Sequence, residues 1–220
     1  MRNAVNVLLM LVLGLGARDV FAMESRVPDL FLEEPREKLA EKGLSFDALY
    51  TGEMVSNLQG GLDQHTSYLG KLLVGVTADL GKAKLISGGS ARVSMIETHG
   101  SRNPTEKYIR DLQTASNIEA LDAVTLYELW YEQTLFQDHF SILVGAHDLN
   151  SEFAVTETGL LFLNSSFGIQ PDISANVPVS IFPILGPAIR VKIKPNEEFE
   201  ILAGIYDGDP TDGGKNRHGA

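Results

Sequence analysis

From Leu44 onward, apolar and polar residues alternate along the chain with a period of two. In Leu44–Met54 the even-numbered residues are apolar and most odd-numbered residues are polar, and Tyr68–Asp79 repeats the pattern. Successive side chains of a β-strand point to opposite faces of its sheet, so the alternation predicts strands with one apolar and one polar face. Five later segments continue it: Ala91–His99, Ala123–Gln133, Phe140–Ala146, Ile189–Lys194 and Phe199–Ile205. We therefore predict an all-β, antiparallel fold of about seven strands.

Two of these strands have a strongly polar face. Glu128, Trp130 and Glu132 alternate with a second set of residues, which are Thr125, Tyr127, Leu129 and Tyr131. Near the end of the chain, a run of three cations alternates without exception with Ile189, Val191 and Ile193; these cations are Arg190, Lys192 and Lys194. Side chains of this kind need water or a charged partner, so the two polar faces are predicted to point away from any apolar surroundings.

Two long connections interrupt the strands. Asp148–Ser174 has neither strand alternation nor a helical period, and its apolar run Leu160–Leu163 is followed by a cluster of turn-forming residues. Ser101–Ala120 is the second connection and is polar and irregular. A loop as long as Asp148–Ser174 inside an ordered protein is usually functional, and its sequence is compatible with a binding loop, a lid or a surface excursion.

The first residues carry the pattern of a secretory signal peptide. Arg2 precedes the apolar run Ala4–Leu15, and Val20–Ala22 resembles a cleavage site. A membrane anchor is the alternative, but this run is too short to cross a bilayer as a helix. We predict three parts: a signal peptide at 1–22, an N-terminal periplasmic segment at 23–43, and strands from 44 to 220. The middle segment contains a short helix that starts near Pro35 and ends at Gly43.

Composition narrows the class of protein. The chain has 220 residues, a formal net charge of −11 and no cysteine. An exported protein without disulfides must be stabilised by packing or by a membrane, and the acidic balance argues against binding to nucleic acid. After residue 22 no apolar run reaches the about 18 residues of a spanning helix.

Together these features favour a transmembrane β-barrel over its main alternative, an exported soluble β-sandwich or lipocalin-like barrel. Strands of about ten residues, short turns that alternate with long connections, and a signal peptide are typical of outer-membrane barrels. Charges on the inner face of a small soluble barrel would be buried at high cost, whereas a water-filled lumen removes that cost.

Several segments resemble the carbohydrate-selective porin (OprB) family of Gram-negative outer membranes. In chain order they are Lys42–Glu53, Arg110–Ala120, Leu126–Gln133, Val144–Phe153, Leu161–Ile173, Pro178–Pro183 and Ala203–Pro210. The resemblance implies a barrel of about sixteen strands that lets sugars diffuse across the outer membrane. It also implies that Asp148–Ser174 folds inward or lies at the rim and narrows the pore.

The chain departs from the family pattern at two places. The family usually has a Trp-Gly-Gly-type segment before the first helix, and here the sequence is LFLEEPREKL. The tail after Tyr206 is polar and glycine-rich, whereas a final barrel strand would end in an aromatic residue. An odd number of strands does not close a bacterial barrel, so the residues from 44 to 220 are expected to be the N-terminal half of a porin. A truncated, non-functional fragment is the corresponding alternative.

The passage of sugars requires hydrogen-bonding groups and aromatic faces along a wet channel, and no nucleophile. We predict eight pore-lining or sugar-binding residues: Glu128, Trp130, Glu132, Asn150, Glu152, Asn164, Arg190 and Lys192. For Trp130 the alternative is a lipid-facing position in an aromatic girdle. For Asn150, Glu152 and Asn164 the alternative is the closing of turns and the capping of backbone groups.

The sequence predicts no catalytic residue, metal or cofactor. Ser151 and His147 are close in sequence, which leaves an outer-membrane lipase as a minor alternative, but no G-x-S-x-G segment is present. Asp207, Asp209 and Asp212 loosely resemble a calcium loop, and a solvated turn is the default interpretation. The expected partners are small sugars and outer-membrane lipid, with no nucleic acid and with self-association into a homo-oligomer left open.

Overall fold

The computed structural model describes residues 7–15, 33–100, 103–156, 158–177, 179–196, 198–208 and 210. These residues form one eight-stranded antiparallel sheet in which the strands lie side by side in chain order. The strands are β1 (Val7–Leu15), β2 (Leu44–Ser56), β3 (Thr66–Asp79), β4 (Gly89–Gly100), β5 (Ala123–Leu135), β6 (Phe140–Ala146), β7 (Pro187–Asn196) and β8 (Phe199–Tyr206). The predicted all-β, antiparallel class is confirmed, and the seven predicted strands correspond to β2–β8.

Strand β1 was not predicted. Residues 1–22 were expected to lie outside the fold, but Val7–Leu15 pairs along the edge of β2, with Val7 opposite Ser56 and Leu15 opposite Ala48. The sequence gives no sign of this because Val7–Leu15 is apolar throughout and does not alternate. Removal of residues 1–22 by a signal peptidase stays a prediction.

The helices of the described residues are short. Helix α1 spans Glu33–Glu41 and α2 spans Pro171–Ser174. Helix α1 occupies the predicted place, with Pro35 in its first turn, and the chain leaves it through Gly43 at φ +87°. A Cβ atom at Gly43 would lie 2.3 Å from the carbonyl oxygen of Asp79, so only glycine permits this junction with β3. Among the helices of the described residues, none could span a bilayer.

The sheet has two different faces, as the alternation predicted. On one face, paired positions across six strands carry Phe46, Val76, Val93, Leu129, Ala146 and Pro187. We call this the apolar face. Its large side chains are broadly exposed, including Val93 (41%), Leu129 (53%), Val144 (48%) and Ile189 (47%). An apolar surface of this extent marks contact with a membrane or with another protein.

The same row of pairs shows that the strands are staggered. Phe46 lies near the start of β2, whereas its counterpart Ala146 is the last residue of β6. Both residues belong to strands that run in the same direction, so each successive pair of strands is displaced along the sheet. Such a displacement accompanies the tilted strands of a barrel wall.

The connections differ between the two ends of the sheet. At one end, which we call the turn end, β5 and β6 are joined through residues 136–139, and β7 and β8 through residues 197–198. At the other end, the loop end, two long loops follow β4 and β6. We call residues 103–122 the first long loop and residues 147–186 the second long loop.

Both long loops lie against the polar side of the sheet. Ile118 of the first long loop packs in a buried cluster with Val55 and Leu69 of the strands. The loops are also joined to each other, because the backbone N–H of Asn117 donates to the carbonyl oxygen of Leu163 at 2.7 Å. The second long loop contains three short 3₁₀ turns, and these are Leu149–Ser151, Gly159–Leu161 and Ser165–Phe167.

Candidate functional site

The face of the sheet opposite the apolar face, which we call the polar face, is organised around two arginines. The first is Arg92 on β4, whose Nη1 and Nη2 bind the two carboxylate oxygens of Asp47 at 2.7 and 3.0 Å. Its Nε donates to Oε2 of Glu128 at 2.6 Å. Asp47 lies on β2, so this fork passes over β3, and a Cβ atom at Gly75 would lie 2.8 Å from both Arg92 Nη2 and an Asp47 oxygen. Gly75 thus provides the space for the ion pair.

Trp130 lies beside this first cluster. It pairs across the sheet with Arg92, and its indole Nε1 donates to Oε1 of Glu128 at 3.2 Å. Ser94 donates to the other oxygen of the same carboxylate at 2.9 Å. The indole is thereby held at its edge, next to a carboxylate and a guanidinium.

The second cluster surrounds Arg190 on β7, which is 2% exposed. Its Nε and Nη2 bind the two oxygens of Glu152 at 2.6 and 2.9 Å, and its Nη1 binds Glu132 at 2.9 Å. Nη1 also donates to the hydroxyl of Ser141 at 2.8 Å, and Lys192 Nζ lies 3.2 Å from Glu152. Because Glu152 belongs to the second long loop, this cluster ties that loop to the polar face.

Tyr127 makes a second tie to the same loop. Its hydroxyl donates to Oδ2 of Asp148 at 2.5 Å, and the other oxygen of Asp148 accepts the N–H of Asn150 at 2.8 Å. Burial raises the pKa of Asp148. The ring of Phe182 contacts the edge of Tyr127, and Lys71 Nζ lies 5.1 Å from the centre of that ring. Phe182 of the second long loop therefore packs against Tyr127 and Lys71 of the sheet at the loop end.

The prediction that Tyr127 lies on the face opposite Glu128 and Trp130 was wrong. The alternation predicts Tyr127 on one face with Thr125, Leu129 and Tyr131, but an irregularity of register between Ser94 and Met95 lies opposite this part of β5 and places Thr125 on the polar side as well. The strand contains one extra residue there, so Tyr127 and Glu128 both reach the polar side. Leu129 and Tyr131 remain on the apolar face.

His147, at the start of the second long loop, is buried among polar partners. Its Nδ1 lies 3.0 Å from the hydroxyl of Tyr206, its Nε2 lies 3.3 Å from the hydroxyl of Ser151, and its carbonyl oxygen accepts from Ser180 at 2.8 Å. Burial lowers the pKa of His147, so the docked loop favours the neutral ring.

Acidification is expected to loosen the second long loop through His147. A histidine released from this environment binds its proton first, so the docking free energy is complete above about pH 6.5 and falls as the pH drops below that value. Limited proteolysis of the second long loop should therefore accelerate between pH 7.5 and pH 5.5 more in wild type than in a chain without His147, while the raised pKa of Asp148 acts in the opposite direction in both proteins. His147→Gln should flatten this dependence, whereas His65→Gln, a change at an exposed ring, should preserve it. An equal dependence in wild type and His147→Gln would contradict the assignment.

The structure brings six of the eight predicted site residues together. Glu128 and Trp130 lie in the Arg92 cluster, and the Arg190 cluster contains Glu132, Glu152, Arg190 and Lys192. The two asparagines instead close turns. Asn150 Nδ2 donates to the carbonyl oxygens of Phe153 and Ala154, and the side chain of Asn164 accepts the N–H of Ser166.

Several residues of the site cannot be singled out from the sequence. Asp47 and Arg92 occupy polar positions in alternating strands, which was the available signal, but neither was singled out. Lys71, Tyr127 and Asp148 meet only because the second long loop folds over the sheet. Among the described residues no group of three or more His, Asp or Glu side chains is arranged to hold a metal ion.

Comparison with known proteins agrees with this architecture. The family model described as "Carbohydrate-selective porin, OprB family" matches residues 63–220. Porin B of Pseudomonas aeruginosa is 28% identical over 190 residues, which cover 80% of this chain and 40% of that protein.

A solved structure of OprB from Pseudomonas putida, determined at high pH, superposes with a TM-score of 0.72 at 21% identity. The match covers 84% of this chain and 47% of that one, so the chain spans less than half the length of both relatives. The structural likeness supports the porin-type β fold. Because the family model matches well over half of the chain, the resemblance found in the sequence is confirmed, and the chain belongs to the carbohydrate-selective porin family, OprB.

Proposed function

We propose that this chain forms the wall of an outer-membrane channel through which carbohydrates diffuse, and that its polar face lines the water-filled passage. The observation that carries the proposal is the separation of the two faces. One face exposes large apolar side chains. On the other face, the charged side chains form two clusters around Arg92 and Arg190, and Trp130 lies beside the Arg92 cluster.

The chemistry of the polar face suits a neutral polyol. Carboxylates of Glu128 and Glu132 accept hydrogen bonds from sugar hydroxyls, and the partly exposed ammonium of Lys192 donates to sugar oxygens. The buried guanidinium of Arg190 holds Glu132 in place. The indole of Trp130 offers a flat apolar surface for a pyranose ring. Weak, repeated contacts of this kind allow a solute to bind and to leave, which conduction requires.

The second long loop narrows the passage in this proposal. Glu152 and Asp148 hold its first residues against the polar face through Arg190 and Tyr127. Because a bidentate ion pair fixes the loop, the passage beside it keeps a constant width and would select solutes by size as well as by hydrogen bonding. Asn150 and Asn164 support the shape of this loop, and we retain sugar contact by either amide only as a prediction.

The apolar face is proposed to contact outer-membrane lipid. Near the loop end it carries a cluster of three rings, which are those of Tyr50, Tyr68 and His99. The hydroxyls of Tyr50 and Tyr68 are hydrogen bonded to each other, and the Tyr50 hydroxyl lies 3.1 Å from His99 Nε2. Amphipathic rings of this kind collect at the boundary between hydrocarbon and water. Export with cleavage after residue 22, the location in the outer membrane and self-association belong to the same proposal.

We infer transport without catalysis. The Ser151 hydroxyl donates to the carbonyl oxygen of Asp148 at 2.7 Å and lies 3.3 Å from His147 Nε2. The other nitrogen of His147 faces the Tyr206 hydroxyl, whereas a hydrolytic triad places a carboxylate there. The pair is thus better explained as an anchor of the second long loop, in a chain whose family consists of porins.

Sugar-driven swelling of liposomes tests the proposal. Trp130→Ala should reduce the swelling rate several-fold at low sugar concentration, because a stacking contact contributes about 1 kcal/mol or more. Leu129→Ala is the matched control, since it shortens the neighbouring residue on the apolar face and should leave the rate unchanged. If wild-type protein in liposomes passes no sugar, the proposed function is wrong. Equal rates for Trp130→Ala and wild type would remove Trp130 from the passage.

A further inference from the structure

The first long loop contains a polar cleft that is separate from the two arginine clusters. Its volume is about 360 Å³, near the lower end of the range of small-molecule pockets. The loop that forms it packs on Val55 and Leu69 through Ile118, so the cleft lies at the loop end, over the polar side of the sheet. Its lining is rich in hydrogen-bonding side chains, among them Asn103, Glu106, Arg110, Asp111, Gln113 and Thr114.

An unusual backbone builds the cleft. Thr105–Ile109 forms a π-helical turn that ends at Arg110, whose φ of 63° and ψ of 46° lie in the left-handed region. This conformation costs a non-glycine residue about 1 kcal/mol or more, and both left-handed residues and π turns occur often at functional sites. A hydrogen bond from the Arg110 N–H to the carbonyl oxygen of Thr105, at 2.6 Å, offsets part of this free energy.

A buried carboxylate holds the strained turn in place. Glu119 accepts from the N–H of Thr105 at 3.0 Å and from its hydroxyl at 2.7 Å. The same hydroxyl accepts the N–H of Ala115 at 2.8 Å. Burial raises the pKa of Glu119. These three hydrogen bonds fix Thr105, at the floor of the cleft, to Ala115 and to Glu119.

Gln113 joins the cleft to the second long loop. Its Nε2 donates to the hydroxyl of Ser174 at 2.7 Å, and its Oε1 accepts from Ser165 at 3.1 Å. One wall of the cleft is thus fixed from the neighbouring loop, so the cleft depends on the docking of both loops.

The side chain of Arg110, which lines the cleft, forms no ion pair with the described residues. Arg92 and Arg190 each bind two carboxylates, whereas no carboxylate oxygen of the described residues lies within 4.0 Å of the Arg110 guanidinium. The residue is exposed at the cleft, although its backbone is strained. An exposed fork of donors that binds no carboxylate of the described residues can bind an oxygen-rich ligand.

The charges of the cleft select the class of ligand. The lining of the cleft contains one guanidinium, that of Arg110, and three carboxylates, those of Glu106, Asp111 and Glu119, so an anionic ligand would meet net repulsion. A neutral polyol would not, and amide, hydroxyl and carboxylate groups next to a guanidinium provide both donors and acceptors for its hydroxyls.

We propose that this cleft is a capture site for a neutral saccharide at the mouth of the passage, distinct from the polar face and contacted through Arg110. The inference rests on the proposed function, since it gives the sugar a place to bind before it reaches the polar face. A site at the mouth raises the local sugar concentration and matters most when the sugar is scarce.

Saturation-transfer NMR on the purified full chain in detergent tests this site, with glucose and maltose as the probes. Arg110→Ala should weaken binding of at least one probe by about tenfold, because a hydrogen bond to a charged group is worth roughly that factor. Arg110→Lys keeps the charge but loses the fork of donors, so its affinity for the probe should lie between those of wild type and Arg110→Ala. Lys107→Ala removes an exposed cation from the same turn and should bind as wild type does.

Two results would overturn the inference. One is an unchanged dissociation constant in Arg110→Ala, and the other is no binding of either probe to wild-type protein that still passes sugar in swelling assays. The second result leaves the proposed function standing, whereas loss of swelling in wild type would reject the proposed function itself. Trp130→Ala separates the sites further, because it should reduce swelling while the Arg110-dependent binding persists.

Discussion

Arg190→Met is expected to destabilise the folded chain by about 3–5 kcal/mol and to release the second long loop. Arg190 is 2% exposed and its guanidinium neutralises Glu132 and Glu152, so methionine would leave two carboxylates close together without their shared cation. Glu152 is also a tie of the loop to the sheet. The loss should therefore appear both as a lower urea midpoint in lipid vesicles and as faster proteolysis of the second long loop.

Lys192→Met is the matched control for Arg190→Met. Lys192 binds the same carboxylate of Glu152 at 3.2 Å, but its side chain is 24% exposed. We expect a loss of about 1 kcal/mol or less from this partly solvated pair. The double change Arg190→Met with Glu152→Gln should recover part of the loss, since one uncompensated carboxylate is removed. Equal urea midpoints for Arg190→Met and Lys192→Met would contradict the role given to Arg190.

Gly145→Ala is expected to cost about 2–5 kcal/mol and to displace Trp130. Gly145 on β6 has φ +141°, and a Cβ atom there would lie 2.2 Å from the carbonyl oxygen of Leu129 and 2.5 Å from the Cα of Trp130. Both atoms belong to the backbone of β5 and cannot rotate away. The strands must separate or shift, and the indole that pairs with Gly145 moves with them.

A shift in tryptophan fluorescence would report this displacement directly, because Trp130 is the only tryptophan of the chain. Gly208→Ala is the control, since among the described residues, apart from its chain neighbours, no atom lies within 4 Å of the place where a Cβ atom would stand. We expect wild-type fluorescence and stability from the control and a lower urea midpoint with an altered emission maximum from Gly145→Ala. An unchanged spectrum in Gly145→Ala would show that β5 and β6 do not hold Trp130 as described.

The strands could be predicted because their signal is local. Phe140–Ala146 was located to the residue, and β2 to β5 were located to within a few residues at each end, since alternation of apolar and polar side chains follows from strand geometry alone. The same rule failed at Tyr127. A single extra residue opposite Ser94 and Met95 reverses the side to which the preceding residues point, and nothing in the sequence of β5 marks that position.

The partners of the charged residues were beyond local reasoning. Arg190 and Glu152 are separated by an irregular loop, and the sequence of that loop does not reveal that it folds back onto the sheet. Asp47 and Arg92 meet across β3 only because position 75 is glycine and the strands are in this particular register. Polar positions could be assigned to a face, but ion pairs between non-adjacent strands require the register of all three.

The N-terminal strand β1 could not be predicted because its sequence has two equally good interpretations. A continuous apolar run such as Val7–Leu15 has the same composition in a signal peptide and in a strand that pairs at a sheet edge. Its partner, the edge of β2, lies far along the chain, beyond α1. Periodicity cannot separate the two interpretations because neither requires alternation.

The central claim, that the polar face lines a water-filled passage and the apolar face contacts lipid, is tested most directly by cysteine accessibility. The chain has no cysteine, so single substitutions report on one position each. In outer-membrane vesicles, a charged, membrane-impermeant thiol reagent should label Trp130→Cys and Lys192→Cys, and excess sugar should slow the labelling. Leu129→Cys and Ile189→Cys, their neighbours on the apolar face, should remain unlabelled until the membrane is dissolved. Equal labelling of all four positions in intact vesicles, or labelling of the apolar face alone, would contradict the account.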